Sequence, residues 1–391
     1  MSELILKPKE DVRIRAGHLW IFSNEVARVD GLKENGDIVD VIGSRNRFLG
    51  HAGYNRHTLI AARLLSRRRE EIDVHFFVRR FRQAKIWREK AFGRMRSFRI
   101  VYSEGDLLPG LIVDKYEDYL VVQLLTLGME RLRAPLLTAL DSALNPAGVL
   151  LRGDSRFREL EGLPRETPTV VHGVIPENVI IEEAGARFAV DLLRGQKTGF
   201  YFDQRDTRAV ARSLAGGRRV LDCFCYTGGF AINCALGGAS QVLAIDNSVS
   251  ALDMLKENVR LNGVAPIVTA QHGECFEVLR ELDSRHERFD LIILDPPAFI
   301  KTKSQLRAGL SGYREINRMA MRLLSPEGVL LTCSCSQNLS LEQFKKMLLQ
   351  AARGAKRYFR ISHFLTQAAD HPILQAMPET QYLKGLILQA L

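Results

Sequence analysis

The stretch Arg219-Val220-Leu221-Asp222-Cys223-Phe224-Cys225-Tyr226-Thr227-Gly228-Gly229-Phe230 decides how the C-terminal half of this chain folds. A short apolar run ends in an acid, passes through a turn of small residues and opens a helix over Ala231–Leu236. The rhythm then repeats. Apolar runs at Gln241–Asp246, Ile267–Ala270, Leu291–Asp295 and Gly328–Cys333 read as strands, and helical spacing sits at Ser250–Asn262, Tyr313–Leu324 and Leu341–Ala352. Alternating strand and helix predicts an α/β domain with a parallel sheet covered on both faces.

In such a sheet, ligands bind outside the carboxyl ends of the strands. Those ends carry Asp222, Asp246 and Asp295, with Glu274 just beyond the Ile267–Ala270 run. Thr227-Gly228-Gly229 lets the backbone approach a ligand at the start of the next helix. A dinucleotide site would want Gly-x-Gly-x-x-Gly here, but Phe224 and Tyr226 take the early positions and leave little room for a pyrophosphate. S-adenosylmethionine has no phosphate, and an acid at Asp246 suits its ribose hydroxyls. The expected domain is therefore Rossmann-like and binds S-adenosylmethionine through Asp222, Thr227, Gly228, Asp246, the adjacent Asn247, Glu274 and Asp295.

Asp295-Pro296-Pro297-Ala298-Phe299 is a nucleobase signal. The prolines stiffen the backbone after the strand, the acid points into the pocket, and the aromatic can stack on a flipped-out base. The lesser alternative is that Phe299 is plain core. The last run ends Thr332-Cys333-Ser334-Cys335-Ser336, which puts a thiol near the methyl donor. Cytosine C5 is a poor nucleophile. A thiolate adding to C6 makes C5 enamine-like, with Asp295 stabilising the adduct. Residues two apart face the same side of a strand, so alternation does not choose between the thiols, and a buried inert cysteine is the ordinary case. Two rival functions remain. One is methylation of a purine exocyclic amine or ring nitrogen, which needs no thiol. The other is a non-catalytic RNA-binding ribosome assembly factor, against which the intact set of strand-end acids argues.

The N-terminal half reads differently. Short β-type runs such as Asp37–Ile42 and Leu59–Ala62, broken at Asn35-Gly36, Gly43 and Gly50, suit a small β-barrel over residues 1–66. Residues 67–181 read as a basic helix, from Glu70 to about Met95, followed by an α+β unit; residues 182–391 are the third domain. On the helix Phe77, Phe81, Ala84, Ala91 and Met95 form the apolar stripe, and Arg79, Arg80, Arg82, Arg88 and Arg94 occupy much of the rest. The net charge of +10 is concentrated: thirteen Lys/Arg against four Asp/Glu lie between Arg63 and Arg99. A phosphate backbone is the natural partner, with Arg67, Arg68, Arg69, Arg79 and Arg80 as candidate contacts. The charged N-terminus is unlike a signal peptide and no run is long enough to span a membrane, which points to a cytoplasmic protein. The six cysteines fit neither a disulfide framework nor a zinc knuckle, so no metal is expected.

Several motifs together resemble the ribosomal RNA large subunit methyltransferase I family: Gly195-Gln196-Lys197-Thr198-Gly199-Phe200-Tyr201-Phe202-Asp203-Gln204-Arg205-Asp206, the Asp222–Phe230 loop, Asp295-Pro296-Pro297, Ser334-Cys335-Ser336 and Asp370-His371-Pro372. Ala16-Gly17-His18-Leu19-Trp20-Ile21-Phe22-Ser23 is similar to that family's PUA domain, and Leu108–Asp114 to its central EEHEE domain. The resemblance spans essentially the whole chain. It implies a 5-methylcytosine methyltransferase acting on 23S rRNA or a large-subunit particle. The implied nucleophile is Cys335, the implied cofactor contacts include Gln204, and the PUA domain and basic helix are implied to hold RNA. A homodimer is a further expectation. Ala298 departs from the pattern, since relatives often carry Lys there.

Overall fold

The computed structural model describes residues 2–93 and 95–391, so Arg94 of the expected basic face lies outside the described residues. Contacts gather the chain into two compact units. The residues up to Ile181, with Val190–Phe202 and Ala369–Thr380, form the first; Glu182–Ala189, Asp203–Ala368 and Gln381–Leu391 form the second.

The first unit holds two sheets. Six strands pair in the order Trp20–Phe22, Ile60–Ser66, Arg47–Tyr54, Ile38–Gly43, Glu3–Leu6, Val26–Asp30. Their core is Leu4, Ile21, Val39, Val41, Ala52 and Leu64. Five strands form the other sheet, in the order Thr169–Gly173, Gly148–Leu151, Tyr119–Leu124, Leu111–Tyr116, Phe98–Tyr102. The helices Val74–Phe92 and Arg133–Leu144 pack Phe77, Phe81, Leu136 and Leu140 against Val113 and Val122.

The basic helix starts four residues later than expected, because Asp73 caps it by accepting from the Phe76 N–H at 2.9 Å. Its burial also differs at two positions. Ala91 is exposed, and Arg88, expected on the polar face, is fully buried. Arg88 meets both Asp106 oxygens at 2.5 and 2.7 Å and donates to the Arg99 and Asp370 carbonyls at 2.9 and 3.0 Å. A guanidinium tolerates burial when its fork is filled in this way.

Arg88 also explains why Ala369–Thr380 belongs to the first unit. The buried Asp370 carboxylate accepts from the Arg99 N–H at 3.1 Å and bonds His371 Nδ1 at 2.8 Å. The Tyr102 hydroxyl donates to the Thr380 carbonyl at 3.1 Å. Asp370-His371-Pro372 is thus a structural clamp of this unit.

The second unit is built on seven strands in the order Val268–His272, Gln241–Asp246, Arg219–Cys223, Phe289–Leu294, Leu324–Ser334, Lys384–Ala390, Phe359–Thr366. The first five are mutually parallel, as expected. Lys384–Ala390 is antiparallel to both of its neighbours, and neither it nor Phe359–Thr366 was anticipated. Val220, Leu221, Ile292, Ile293, Leu330 and Leu331 are all sealed from solvent, as strands covered on both faces require. The helices Cys275–Ser284, Leu306–Leu323 and Leu341–Gly354 supply one apolar layer through Leu279, Ile316 and Phe344. Arg205–Leu214 packs beside Gly229–Leu236. Among the described residues, no helix is long and apolar enough to cross a membrane, and no His/Cys/Asp/Glu group could hold a metal.

Replacing Arg88 with Leu strands Asp106 and two carbonyls in the interior. The expected loss is about 3–5 kcal/mol of unfolding free energy, read by urea denaturation. A loss under about 1 kcal/mol would show that the pair is dispensable.

Candidate functional site

Parallel register sets the site. Cys223 pairs with Ile245 on one side and Leu294 on the other, Leu294 pairs with Thr332, and Asp246 pairs with His272. The strand tips are therefore level, and the residues that follow them share one edge of the sheet.

At the central tip, Asp222 is fully buried, and one of its oxygens accepts from the Ala231 N–H at 2.9 Å. The loop between them is wound tightly. Phe224 and Tyr226 adopt left-handed backbone angles (φ 63° and 49°), which side-chain-bearing residues rarely do. Gly228 has φ +88°, and a Cβ there would sit 2.1 Å from Leu255 Cδ1. The positive φ and the close approach of Leu255 favour glycine at this position, which accounts for the turn read from the sequence. Asn258, which sequence reasoning missed, holds the loop from behind. Its amide donates to the Thr227 carbonyl at 3.1 Å and accepts from the Ala189 N–H at 2.7 Å.

Asp246 uses its two oxygens to accept from the Tyr226 and Ser248 N–H groups, each at 2.9 Å. A carboxylate has about four acceptor positions, so two stay available for a diol. Asn247, beside it, is exposed. Glu274 is the residue from which the Cys275–Ser284 helix begins, and it too is exposed.

Two buried oxygens at this edge of the sheet have no hydrogen-bond partner: Asp222 Oδ1 and, beside Cys333, Gln204 Oε1. Orphaned acceptors in a dry site point to a ligand that donates to them. An amino-acid ammonium does so, and with Asp246 facing a ribose the set fits S-adenosylmethionine. Burial, and then the like charges of Asp295 and Asp246, push the Asp222 carboxyl well above its ordinary value. A second buried ion system lies alongside. Arg208 grips Glu183 at 2.6 and 2.7 Å. Burial alone would lower the Arg208 pKa, but Glu183, Asp203 and Asp295 hold it up. Neither Arg208 nor Glu183 was legible as part of the site.

Asp295 is half-buried, Pro296 buried and Pro297 exposed. The Phe299 ring leans on Tyr313, with centroids 4.6 Å apart, and lies 6.3 Å from Phe276. One side of this half-buried ring is therefore accounted for by packing.

The two thiols of the last parallel strand differ sharply. Cys333 is sealed, and burial followed by the charge of Asp295 pushes its thiol well above the ordinary range. Cys335 is half-buried, whereas the other five cysteines are buried. The flanking serines do the scaffolding. The Ser334 and Ser336 hydroxyls each lie 2.9 Å from the Tyr313 hydroxyl, and Ser336 Oγ accepts from the Ile300 N–H at 3.2 Å. With both serines tied inward, Cys335 is the residue of the turn left facing outward. Tyr313 was read only as the start of a helix.

In the first unit, Arg67 donates to the Ile14 and His18 carbonyls at 2.6 and 3.1 Å, and Arg80 to the Leu65 carbonyl at 3.1 Å. Burial lowers the pKa of both. Together with Arg68, Arg79 and Glu70 they line a hollow of about 320 Å³. Arg79 is ion-paired to Glu70. Arg69 lies over the Phe48 ring at 4.0 Å and 3.6 Å from Asp40.

Asp222→Asn separates the ligand role from the structural one. A carboxyl raised on folding makes the folded state hold its proton, so an ionised Asp222 costs stability as pH climbs above the roughly 3.9 of an unfolded Asp. Removing the charge should leave the melting temperature at pH 7 unchanged or higher, while affinity for S-adenosylmethionine falls at least about tenfold by calorimetry. A lower melting temperature with intact binding would contradict this assignment.

Comparison with known proteins agrees with the geometry. Residues 134–388 match the model of S-adenosylmethionine-dependent methyltransferases, and residues 4–67 match a PUA-like domain. The chain is 43% identical over 379 residues to the ribosomal RNA large subunit methyltransferase I of Tolumonas auensis, covering 96% of each. It is 40% identical over 386 residues to that of Erwinia tasmaniensis, covering 98% of each. A candidate SAM-dependent methyltransferase from Streptococcus mutans superposes with TM-score 0.85 at 21% identity over the whole of both chains. A methyltransferase complexed with SAH gives 0.86 at 21%, also over the whole of both chains. At these identities the two structures speak for the fold.

Proposed function

Because the chain belongs to the ribosomal RNA large subunit methyltransferase I family and is an S-adenosylmethionine-dependent rRNA methyltransferase, we propose that it methylates C5 of a cytosine in 23S rRNA through a covalent adduct on Cys335. The observation that carries this reading is the exposure pattern: one thiol of six is half-exposed, and it directly follows the end of the strand whose Thr332 pairs with Leu294, the residue before Asp295.

The bound cofactor supplies an electrophilic methyl group on a sulfonium. The chain's own residues do the rest. Cys335 sulfur forms a bond to C6 of the base, and the displaced electron pair makes C5 nucleophilic. Asp295 hydrogen-bonds the N3/N4 edge and stabilises charge in the adduct. Phe299 stacks on the unstacked base with the ring face turned from Tyr313, and Pro296-Pro297 fix the approach of its ribose. After methyl transfer a base removes the C5 proton, the S–C6 bond breaks, and its electron pair returns to sulfur. Asp222, Gln204, Thr227 and Gly228 hold the amino-acid end of the cofactor, and Asp246, Asn247 and Glu274 its nucleoside end.

Arg67, Arg68, Arg69, Arg79 and Arg80 are assigned to the RNA backbone. The support is the hollow that Arg67, Arg68, Arg79 and Arg80 line, where Arg67 and Arg80 are oriented by backbone carbonyls, with Arg69 next to them in sequence. A cytoplasmic location, a ribosomal particle as substrate, and a homodimer belong to the same reading; sedimentation of the pure protein tests the last.

Bisulfite sequencing of rRNA from cells with and without the gene identifies the product. Cys335→Ala is expected to bind S-adenosylmethionine normally and to form no 5-methylcytosine. Full activity of this variant would remove the covalent mechanism and favour a purine amine or ring nitrogen, for which a thiol has no use. RNA affinity should fall steeply with salt, and Arg67→Gln with Arg80→Gln should reduce the slope of log K against log salt by about 1–2. An unchanged slope would remove these residues from the interface.

A further inference from the structure

Lys384 is the one lysine among the described buried residues, 9% exposed. It opens the antiparallel strand Lys384–Ala390 directly opposite Ser334, which brings it alongside the turn that carries Cys335. Its ammonium donates to the Ser336 carbonyl at 2.7 Å and to the Tyr382 carbonyl at 2.9 Å. Both acceptors are neutral, and no carboxylate pairs with it among the described residues. An ammonium has three N–H donors, so these two carbonyls leave one over, and a buried cation without a counter-ion is costly.

The ionisable groups around the turn narrow the choice of counter-ion. Cys333 and Tyr313 are pushed upward, first by burial, and are neutral at pH 7. Asp203 accepts from the Tyr382 hydroxyl at 2.5 Å. Asp203 and Asp295 both face the Arg208 cation. What remains is the Cys335 sulfur. Burial moves Lys384 down to about 8, and the charge of Cys335 opposes that shift.

We propose that Lys384 is a positioning residue for Cys335: its ammonium pins the Ser336 carbonyl behind the thiol and is the counter-ion that keeps the Cys335 sulfur ionised. The pair forms from a neutral thiol and a neutral amine: the Cys335 S–H bond breaks, its electron pair stays on sulfur, the proton bonds to the lone pair of Lys384 Nζ, and a thiolate–ammonium pair results. The inference rests on Cys335 being the nucleophile, and it adds the group that makes the sulfur nucleophilic at neutral pH.

The test reads the sulfur rather than the methylation. Iodoacetamide alkylates thiolates, and Cys335 is the half-exposed thiol, so the rate of its labelling against pH, located by mass spectrometry, gives its titration. The unsubstituted protein should show a midpoint at least about one unit below the ~8.5 of a free cysteine. Lys384→Met should raise the midpoint by about one unit, slowing labelling at pH 7 about tenfold, while Lys384→Arg stays close to the parent. A parent midpoint at or above ~8.5 would overturn the proposal without any variant, even if Lys384→Met fails to fold. So would a Lys384→Met midpoint equal to the parent's. Methylation by Cys335→Ala is a separate readout: activity there sinks the nucleophile while leaving the measured lysine–thiol coupling intact.

Discussion

The ladder that pairs Cys223 with Ile245 and Leu294, and Leu294 with Thr332, holds the strand tips level. Everything at the site follows from that alignment. Because each strand ends in step with its neighbours, Asp222, Asp246 and Asp295 are brought close enough for their charges to act on one another. The arrangement opposes itself electrostatically. It persists because backbone N–H groups of the loop and of the next helix donate to the Asp246 and Asp222 carboxylates, and because Arg208 is anchored nearby by Glu183. The positive charges of S-adenosylmethionine, an ammonium and a sulfonium, are of the sign that offsets such repulsion.

The turn after Ser334 shows how one sulfur becomes distinct from another two residues away. Cys333 and Cys335 share a composition and a neighbourhood. Ser334 and Ser336 are tied to the Tyr313 hydroxyl, and Lys384 holds the Ser336 carbonyl. The strand ends at Ser334; Cys333 lies inside it in the dry interior, and Cys335, the next residue beyond its end, is half-buried. A short Ser-Cys-Ser therefore acts as a bracket whose outer members are structural.

Arginine serves two purposes in the first unit. Arg88 and Arg158 are buried ties between segments far apart in sequence, each with its fork filled by carboxylates and carbonyls. Arg67 and Arg80 donate to backbone carbonyls at the edge of a hollow. The basic surplus between Arg63 and Arg99 thus overstates the charge offered to a partner, because Arg88 is spent inside and Arg99 is bonded to Asp114 at 2.7 Å.

Strand and helix order in the C-terminal half, the acids at strand ends and the glycine of the Thr227–Gly228 turn were legible from the sequence, because each depends on local periodicity or a local backbone angle. The two antiparallel strands were not. Lys384–Ala390 finds its place through pairing with residues some fifty positions earlier, and Phe359–Thr366 is exposed along most of its length and carries no clear alternation. Asn258, Glu183, Tyr313 and Lys384 were invisible as site residues for the same reason, since each lies on an element away from the motifs read in the sequence, and Arg208, one helical turn past Gln204, carried no signal of its own. Spacing by itself established which residue types stand at the strand tips. Only tertiary structure decided which oxygens lack partners and which cysteine meets solvent, because burial and hydrogen-bond satisfaction belong to the packed chain rather than to any segment of it.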